Sequence, residues 1–348
     1  MLRLFRAGCV LLLVFCQTAA AADTKVSLRL FIWEDYFPQT LISDFTAKYG
    51  VSIEQVYYET DELKDETLIN TGGGQGLDII VGSRASFREY VKYGWLAKYP
   101  AARMENLAHI EKRWLPSGPL EGYSLPYLWG TVGIAYRSDK VPHKLSQWSD
   151  LFKPDPALQQ RIMMTNDSRD TIGLALKSLG KSVNANNPDD LKAAEALLLA
   201  QKPFVREYSY PELDESSKLI TGDIWVSLIY NGDAITLKEL NEHIEFVVPA
   251  TGTNLWIDDI AVLKQSKQQE HAWQFIDFIN QPKNAALIAQ HLYYASPNLG
   301  ATPHLEKSFL EDPRIYPSQQ TIDNSEFFEE LSAQQLKKRN DIFLRVTK

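Results

Sequence analysis

Cysteine is almost absent from this chain. Its only two, Cys9 and Cys16, both stand before Asp23. If the folded protein starts after them, disulfides, thiolate catalysis and cysteine metal sites are excluded. Histidine is sparse and scattered: His109, His143, His243, His271, His291 and His304 form no His-Glu-x-x-His and no close pair, which argues against a zinc site. No Gly-x-Ser-x-Gly elbow is present. The glycine-rich residues 71–76 are not followed by Gly-Lys-Ser/Thr, so they read as a flexible loop rather than a phosphate loop. Acids paired for glycoside hydrolysis stay open, because their separation is set by the fold. A secreted hydrolase is therefore kept as a remote alternative. No resident metal or cofactor is indicated, and the expectation is a protein that is not an enzyme.

Positive charge is also in short supply. The chain holds 36 basic and 44 acidic residues. Removing residues 1–22 takes away Arg3 and Arg6 and no acid, which leaves 34 basic residues against 44 acids, a net charge of −10. Nucleic acid, which demands a basic stripe, is a poor partner for such a chain. A cationic ligand is compatible with it, although most surface acids serve solubility.

Long apolar runs are missing as well. The only marked one, residues 7–15, follows a basic start and precedes Ala20-Ala21-Ala22. It is too short to cross a bilayer and reads as a secretory signal peptide over residues 1–22. Phe15, directly before Cys16, disfavours a lipid anchor, since a small residue is expected there. An exported chain without disulfides fits a bacterial periplasm. The remaining 326 residues exceed one typical domain and suggest two lobes.

What is present is strand–helix alternation. Residues 26–32 and 51–58 read as strands. Leu41, Ile42, Phe45 and Tyr49 mark a helix over 38–49, with Gly50 as its stop. Residues 77–81 form a compact apolar run typical of a buried parallel strand. Asn187-Pro188 opens a helix, and Ala272, Phe275, Ile276 and Ile279 mark another that Pro282 stops. Residues 130–136 and 246–249 are candidates for strands passing between lobes. The pattern predicts an α/β fold with parallel sheets.

Two segments, 223 positions apart, join a ring to a carboxylate: Trp33-Glu34-Asp35-Tyr36 and Trp256-Ile257-Asp258-Asp259. At strand ends, Trp33 would share a face with Asp35, and Trp256 with Asp258. A carboxylate accepts hydrogen bonds from an ammonium group, while a ring attracts the cation and covers methylenes. Taken singly, both tryptophans are better explained by core packing than by ligand stacking. Asp167, with Asp170 three residues on, reads as a helix cap, and the same loop can aim a carboxylate into a cleft. Tyr230-Asn231-Gly232-Asp233 suits either a cleft wall or an ordinary turn. Tyr293 and Tyr294 stand beside a turn, and Gly82-Ser83 closes the strand at Val81.

In order and spacing these segments resemble the periplasmic polyamine-binding proteins of the spermidine/putrescine ABC-transport family. The runs that carry the resemblance include Trp33-Glu34-Asp35-Tyr36, Leu77-Asp78-Ile79-Ile80-Val81, Pro126-Tyr127-Leu128-Trp129-Gly130, Trp148-Ser149-Asp150-Leu151-Phe152, Tyr230-Asn231-Gly232-Asp233, Trp256-Ile257-Asp258 and Ser296-Pro297-Asn298. The resemblance implies a two-lobed periplasmic-binding-protein fold, each lobe a mostly parallel sheet flanked by helices, with the ligand in the cleft between them. The expected division is 23–134 with 255–300 for one lobe, and 135–254 with 301–348 for the other. Carried over, Trp33, Tyr36 and Ser83 line the first lobe, with Glu34 an unusual added acid. Asp167 and Asp170 bind amines from the second. Tyr230 stands where Trp is usual, and Asp233 matches a variant found in putrescine binders. Trp256 stacks on methylenes, Asp258 anchors an amine and Tyr294 closes the site. Ala85, where spermidine binders tend to carry Tyr, and Phe328, near a usual polar position, are further departures. They leave spermidine, norspermidine and putrescine unranked. The implied partner of a monomeric, periplasmic protein is an inner-membrane ABC permease. The alternative is a membrane cyclic di-GMP signalling enzyme that reads the protein as a polyamine sensor.

Overall fold

A computed structural model describes residues 26–329 and 331–348. The signal peptide expected over 1–22, with Cys9 and Cys16, lies outside the described residues. Among the described residues the ten strands are β1 (Ser27–Ile32), β2 (Ser52–Tyr57), β3 (Ile79–Ser83), β4 (Ser124–Arg137), β5 (Ile162–Met164), β6 (Val205–Tyr208), β7 (Val226–Tyr230), β8 (Ile244–Val247), β9 (Asn254–Val262) and β10 (Glu326–Phe327). They run in the order β2-β1-β3-β9-β4-β7-β5-β6, with β10 on β9 and β8 on β4.

β1, β2 and β3 pair in parallel, and so do β5, β6 and β7. The strands at the junction, β4 and β9, are antiparallel to each other and to β7 and β3. This gives two α/β lobes, each with a parallel set of strands, joined through a shared antiparallel seam.

β4 belongs to both lobes. Its residues 124–131 pair with β9, and residues 132–137 pair with β7 and β8. All 14 of its residues are buried. The change of partner falls between Thr131 and Val132. There the Thr131 amide donates to Asn231 Oδ1 at 3.0 Å, and Thr253 Oγ1 donates to the Val132 carbonyl at 2.6 Å. The crossing expected at residues 130–136 thus lies within β4. Residues 246–249 end β8 in the second lobe, and the chain returns to β9 through a turn at residues 250–253.

Apolar side chains collect accordingly. One set, including Leu30, Ile79, Phe45, Phe275 and Ile276, fills the first lobe, and another, including Ile134, Trp148, Leu174, Leu198 and Leu228, fills the second. Each buried Leu, Ile or Phe contributes about 1.5–3 kcal/mol to burial. The segment after residue 300, expected in the second lobe, sends Ala301, Leu305, Phe309 and Ile315 into the first set. Among the described residues, the terminal helix Ala333–Thr347 reaches the second set through Ile342 and Val346.

Two local expectations change. Pro282 does more than stop a helix: helix Gln269–Ile279 ends before it, and Pro282 opens helix Pro282–Leu292, where its missing N–H costs nothing. The glycine-rich residues 71–76 are a packed turn rather than a flexible loop. Gly73 has φ 103°, and a Cβ there would lie 2.6 Å from the Trp95 ring. Among the described residues, no helix is long and apolar enough to cross a membrane.

Gly133 lets β8 approach β4: a Cβ would stand 2.4 Å from Phe246 Cζ and 2.6 Å from the Val247 carbonyl oxygen. Gly133→Ala should therefore destabilise the fold by about 1–3 kcal/mol through overpacking. Urea unfolding should show a lower midpoint with an unaltered slope; an unchanged midpoint would contradict this packing.

Candidate functional site

β9 supplies three residues on one face, because strand side chains alternate. Asn254, Trp256 and Asp258 all point to the junction between the lobes. Asn254 Nδ2 donates to Asp170 Oδ1 at 3.1 Å, reaching the second lobe. Asp258 Oδ2 accepts from the Tyr36 hydroxyl at 2.8 Å, reaching the first. The opposite face carries Asp259, which is wholly buried and structural. It accepts from Arg84 Nη2 at 2.7 Å and Ser124 Oγ at 2.7 Å, while Arg84 also donates to the Trp114 carbonyl.

Trp256 lies between two tyrosine rings, 4.7 Å from Tyr294 and 6.0 Å from Tyr230, edge to face in both cases. Its close seat on β4 requires Gly130, where a Cβ would be 2.4 Å from Trp256 Cζ2. Its indole Nε1 is buried without a partner. The rings continue into the first lobe: Tyr294 lies 6.2 Å from Tyr36, Tyr36 lies 5.3 Å from Trp33, and Trp33 lies 4.8 Å from Tyr58. Aromatic surface thus runs unbroken from one lobe to the other.

Three carboxylates are set into this surface, each held by tyrosine hydroxyls. Asp258 takes Tyr36. Asp170 takes Tyr230 at 3.0 Å, besides Asn254. Asp233 takes Tyr294 at 2.8 Å and also Tyr210. Asp170 and Asp258 are 3 % and 8 % exposed. Burial away from water pushes both carboxyls up from the ordinary 3.8 to about 7. Asp167 adds to the rise at Asp170, and the bonds from Tyr230 and Asn254 oppose it. At Asp258 the Tyr36 bond opposes the rise, Asp61 adds to it and Lys64 opposes it. Burial raises Asp233 as well, against its two tyrosine bonds. The hydroxyls of Tyr36, Tyr230 and Tyr294 are raised far above their ordinary range, chiefly by burial and then by the acids they face. They remain donors.

Most of the residues singled out from sequence therefore meet: Trp33, Tyr36, Asp170, Tyr230, Asp233, Trp256, Asp258 and Tyr294. Ser83 pairs with Asp258 across β3 and β9. Asp167 caps helix Ser168–Ser178, its Oδ1 accepting from the Arg169 and Asp170 amides at 2.6 and 2.9 Å. The cap leaves the Asp170 carboxylate aimed at Tyr230 and Asn254, so the capping and cleft readings of this loop coexist. Glu34 and Asp35 are not drawn in. β1 ends at Ile32, so strand alternation does not reach them. Both are exposed in a turn in which Asp35 has φ 55°.

Asn254, Tyr210, Tyr58, Asp61 and Lys64 were not foreseen. Asn254 had a signal, since it precedes Trp256 by two positions on the same strand face. Tyr210 had none, because its bond to Asp233 crosses 23 residues. A surface groove of about 660 Å³ lined by Gln160, Lys202, Arg206 and Tyr208 lies away from all these residues. Its carboxylate, Glu207, is already paired with Lys218, and the buried acids without a cation mark the site instead. Among the described residues, no cluster of acids and histidines is arranged to hold a metal ion.

Two α/β lobes with rings and buried acids at their junction define a solute-binding protein. The comparisons agree: a model for the bacterial extracellular solute-binding proteins matches residues 40–316, and the chain belongs to that family. Within it the relatives are those the sequence resembles. The spermidine/putrescine-binding periplasmic protein of Escherichia coli is 28 % identical over 320 residues, covering 91 % of this chain and 90 % of the relative. The norspermidine sensor of Vibrio cholerae is 29 % identical over 338 residues, covering 96 % and 92 %. The crystal structure of the spermidine/putrescine ABC transporter substrate-binding protein PotD of Streptococcus pneumoniae superposes with a TM-score of 0.82 at 27 % identity, covering 92 % of this chain and 98 % of that one.

The raised carboxyls have a consequence for the ligand-free protein. A folded-state pKa above the unfolded value means that the native state holds the extra proton. Stability is then greatest below about pH 4 for these groups and is lost as pH rises towards 7. Asp258→Asn should flatten this fall by about 1.4 kcal/mol per pH unit in the middle of that window. Denaturant titrations at several pH values would measure it, and parallel profiles for the two proteins would refute the assignment.

Proposed function

We propose that the protein binds a polyamine between its lobes, in the periplasm, without chemical turnover. The observation that carries this reading is a pair of buried carboxylates, Asp170 and Asp258, held by hydroxyl and amide donors instead of cations and separated by the Trp256 ring. A carboxylate buried without a cation is costly. An alkyl amine supplies the missing charge at each acid, and its methylenes lie against the ring. Asp167, Asp233, Ser83, Tyr36, Tyr230 and Tyr294 orient or enclose these groups, and Trp33 extends the apolar wall. A ligand touching both lobes favours the closed arrangement by its differential affinity for it.

Arrival of an ammonium lowers the pKa of the acid it meets, so binding releases protons near neutral pH and weakens as the medium is acidified. Calorimetry tests the site. Asp258→Ala should cost about 3–5 kcal/mol of binding free energy, and Trp256→Ala about 1–2 kcal/mol. Wild-type affinity in Asp258→Ala would end this assignment. X-ray scattering on the same samples should show compaction with ligand.

Delivery of the bound polyamine to an ABC permease is the first reading of the protein's role. The similarity to the Vibrio cholerae norspermidine sensor over nearly the whole chain favours a second, in which a membrane signalling enzyme reads the closed form. Uptake of labelled polyamine by a deletion strain separates them. Lost uptake supports delivery, and full uptake with an altered polyamine response supports sensing.

A further inference from the structure

Lys64 is fully buried, whereas Asp61 and Asp65 of the same helix are half-buried and Glu66 is exposed. It is the fourth residue of helix Asp61–Asn70, near the positive end, where the backbone disfavours a cation. Its position is set by what its ammonium meets. Nζ is bonded to the Asp61 carboxylate, lies 3.7 Å from Asp65 Oδ1 and stands 3.5 Å from Ser86 Oγ. It also faces two rings, with centroids 5.8 Å away at Trp33 and 5.6 Å away at Tyr58. It lies against β3 at Gly82, where a Cβ would be 2.9 Å from Nζ.

This is the environment an incoming amine would require: carboxylates, a hydroxyl and two ring faces around an ammonium that is itself shut off from water, although Asp61 and Asp65 remain 37 % and 42 % exposed. It lies at the carboxyl ends of the parallel strands β1, β2 and β3, where open α/β sheets take their ligands. It also adjoins the site already described. The Trp33 ring that Nζ faces is in contact with Tyr36, which holds Asp258. The amine-shaped pocket at this end of the cleft is occupied, and the occupant is part of the chain.

We propose that Lys64 is a built-in ammonium that fills the first-lobe end of the amine site, so that the cleft selects alkyl diamines over longer tri- and tetraamines. The inference rests on the polyamine reading above. With Asp61 neutralised from within and Asp233 only half-buried, Asp258 and Asp170 remain as the two buried acids to be matched by ligand charge, beyond the hydrogen bonds each already accepts. A third ammonium would be driven toward Lys64, a buried like charge.

The test compares 1,4-diaminobutane with the triamine that adds one aminopropyl arm, by calorimetry on the wild type and on Lys64→Met, which removes the ammonium and keeps most of the unbranched stem. The wild type should bind the diamine more tightly. Lys64→Met should reverse the order, the triamine gaining about tenfold or more on the diamine as its extra ammonium pairs with Asp61. Thermal unfolding checks that the variant is folded. If it is not, the wild-type order decides alone, and tighter triamine binding there overturns the proposal. An unchanged order in a folded Lys64→Met also overturns it, while leaving amine binding intact. Failure of the wild type to bind either amine overturns the polyamine reading itself.

Discussion

The cost of enclosing a carboxylate without a counter-charge governs the centre of this molecule. Asp170, Asp233 and Asp258 are held by hydroxyl and amide donors, chiefly tyrosines, and burial raises each carboxyl. Tyrosine suits this task. Its hydroxyl steadies an acid without neutralising it, and its ring builds the apolar wall beside it. The folded protein therefore retains an unmet demand for positive charge at its junction. Elsewhere the chain meets such demands internally: Asp259 has Arg84, and Glu326 has Lys177 at 2.8 Å. The contrast between satisfied and unsatisfied acids separates scaffold from site more sharply than burial does.

Much of the fold was legible because its signals are local. The apolar stripe of Leu41 and Phe45, the compact run at Ile79–Ser83 and the Asn187-Pro188 start depend on neighbours within a turn or two of chain. They reappear as helix Gln39–Tyr49, β3 and helix Pro188–Gln201. The glycine-rich turn was misread because its rigidity comes from Trp95 and Leu263, which pack on it from elsewhere. The placement of residues 301–315 was missed for the same reason, since amphipathic patterning says which face is buried but not which lobe buries it.

At the site the division is similar. Trp256 and Asp258 share a face because strand geometry leaves no alternative, and Asn254 obeys the same rule. Asp35 shows where that rule stops: β1 ends three residues before it, too early for alternation to apply. Lys64 lay beyond sequence reasoning altogether. The first six residues of helix Asp61–Asn70 hold five charges, and nothing local marks the lysine among them as the one that turns inward.

The sharing of β4 between the lobes has a mechanical side. Its change of partner at Thr131 and Val132 is pinned by two side-chain bonds, from Asn231 and to Thr253. Trp256 pairs with Gly130, one position away. The indole therefore rests on the one stretch of backbone that both lobes hold in common, and a substitution that displaced it would be felt on either side of the junction.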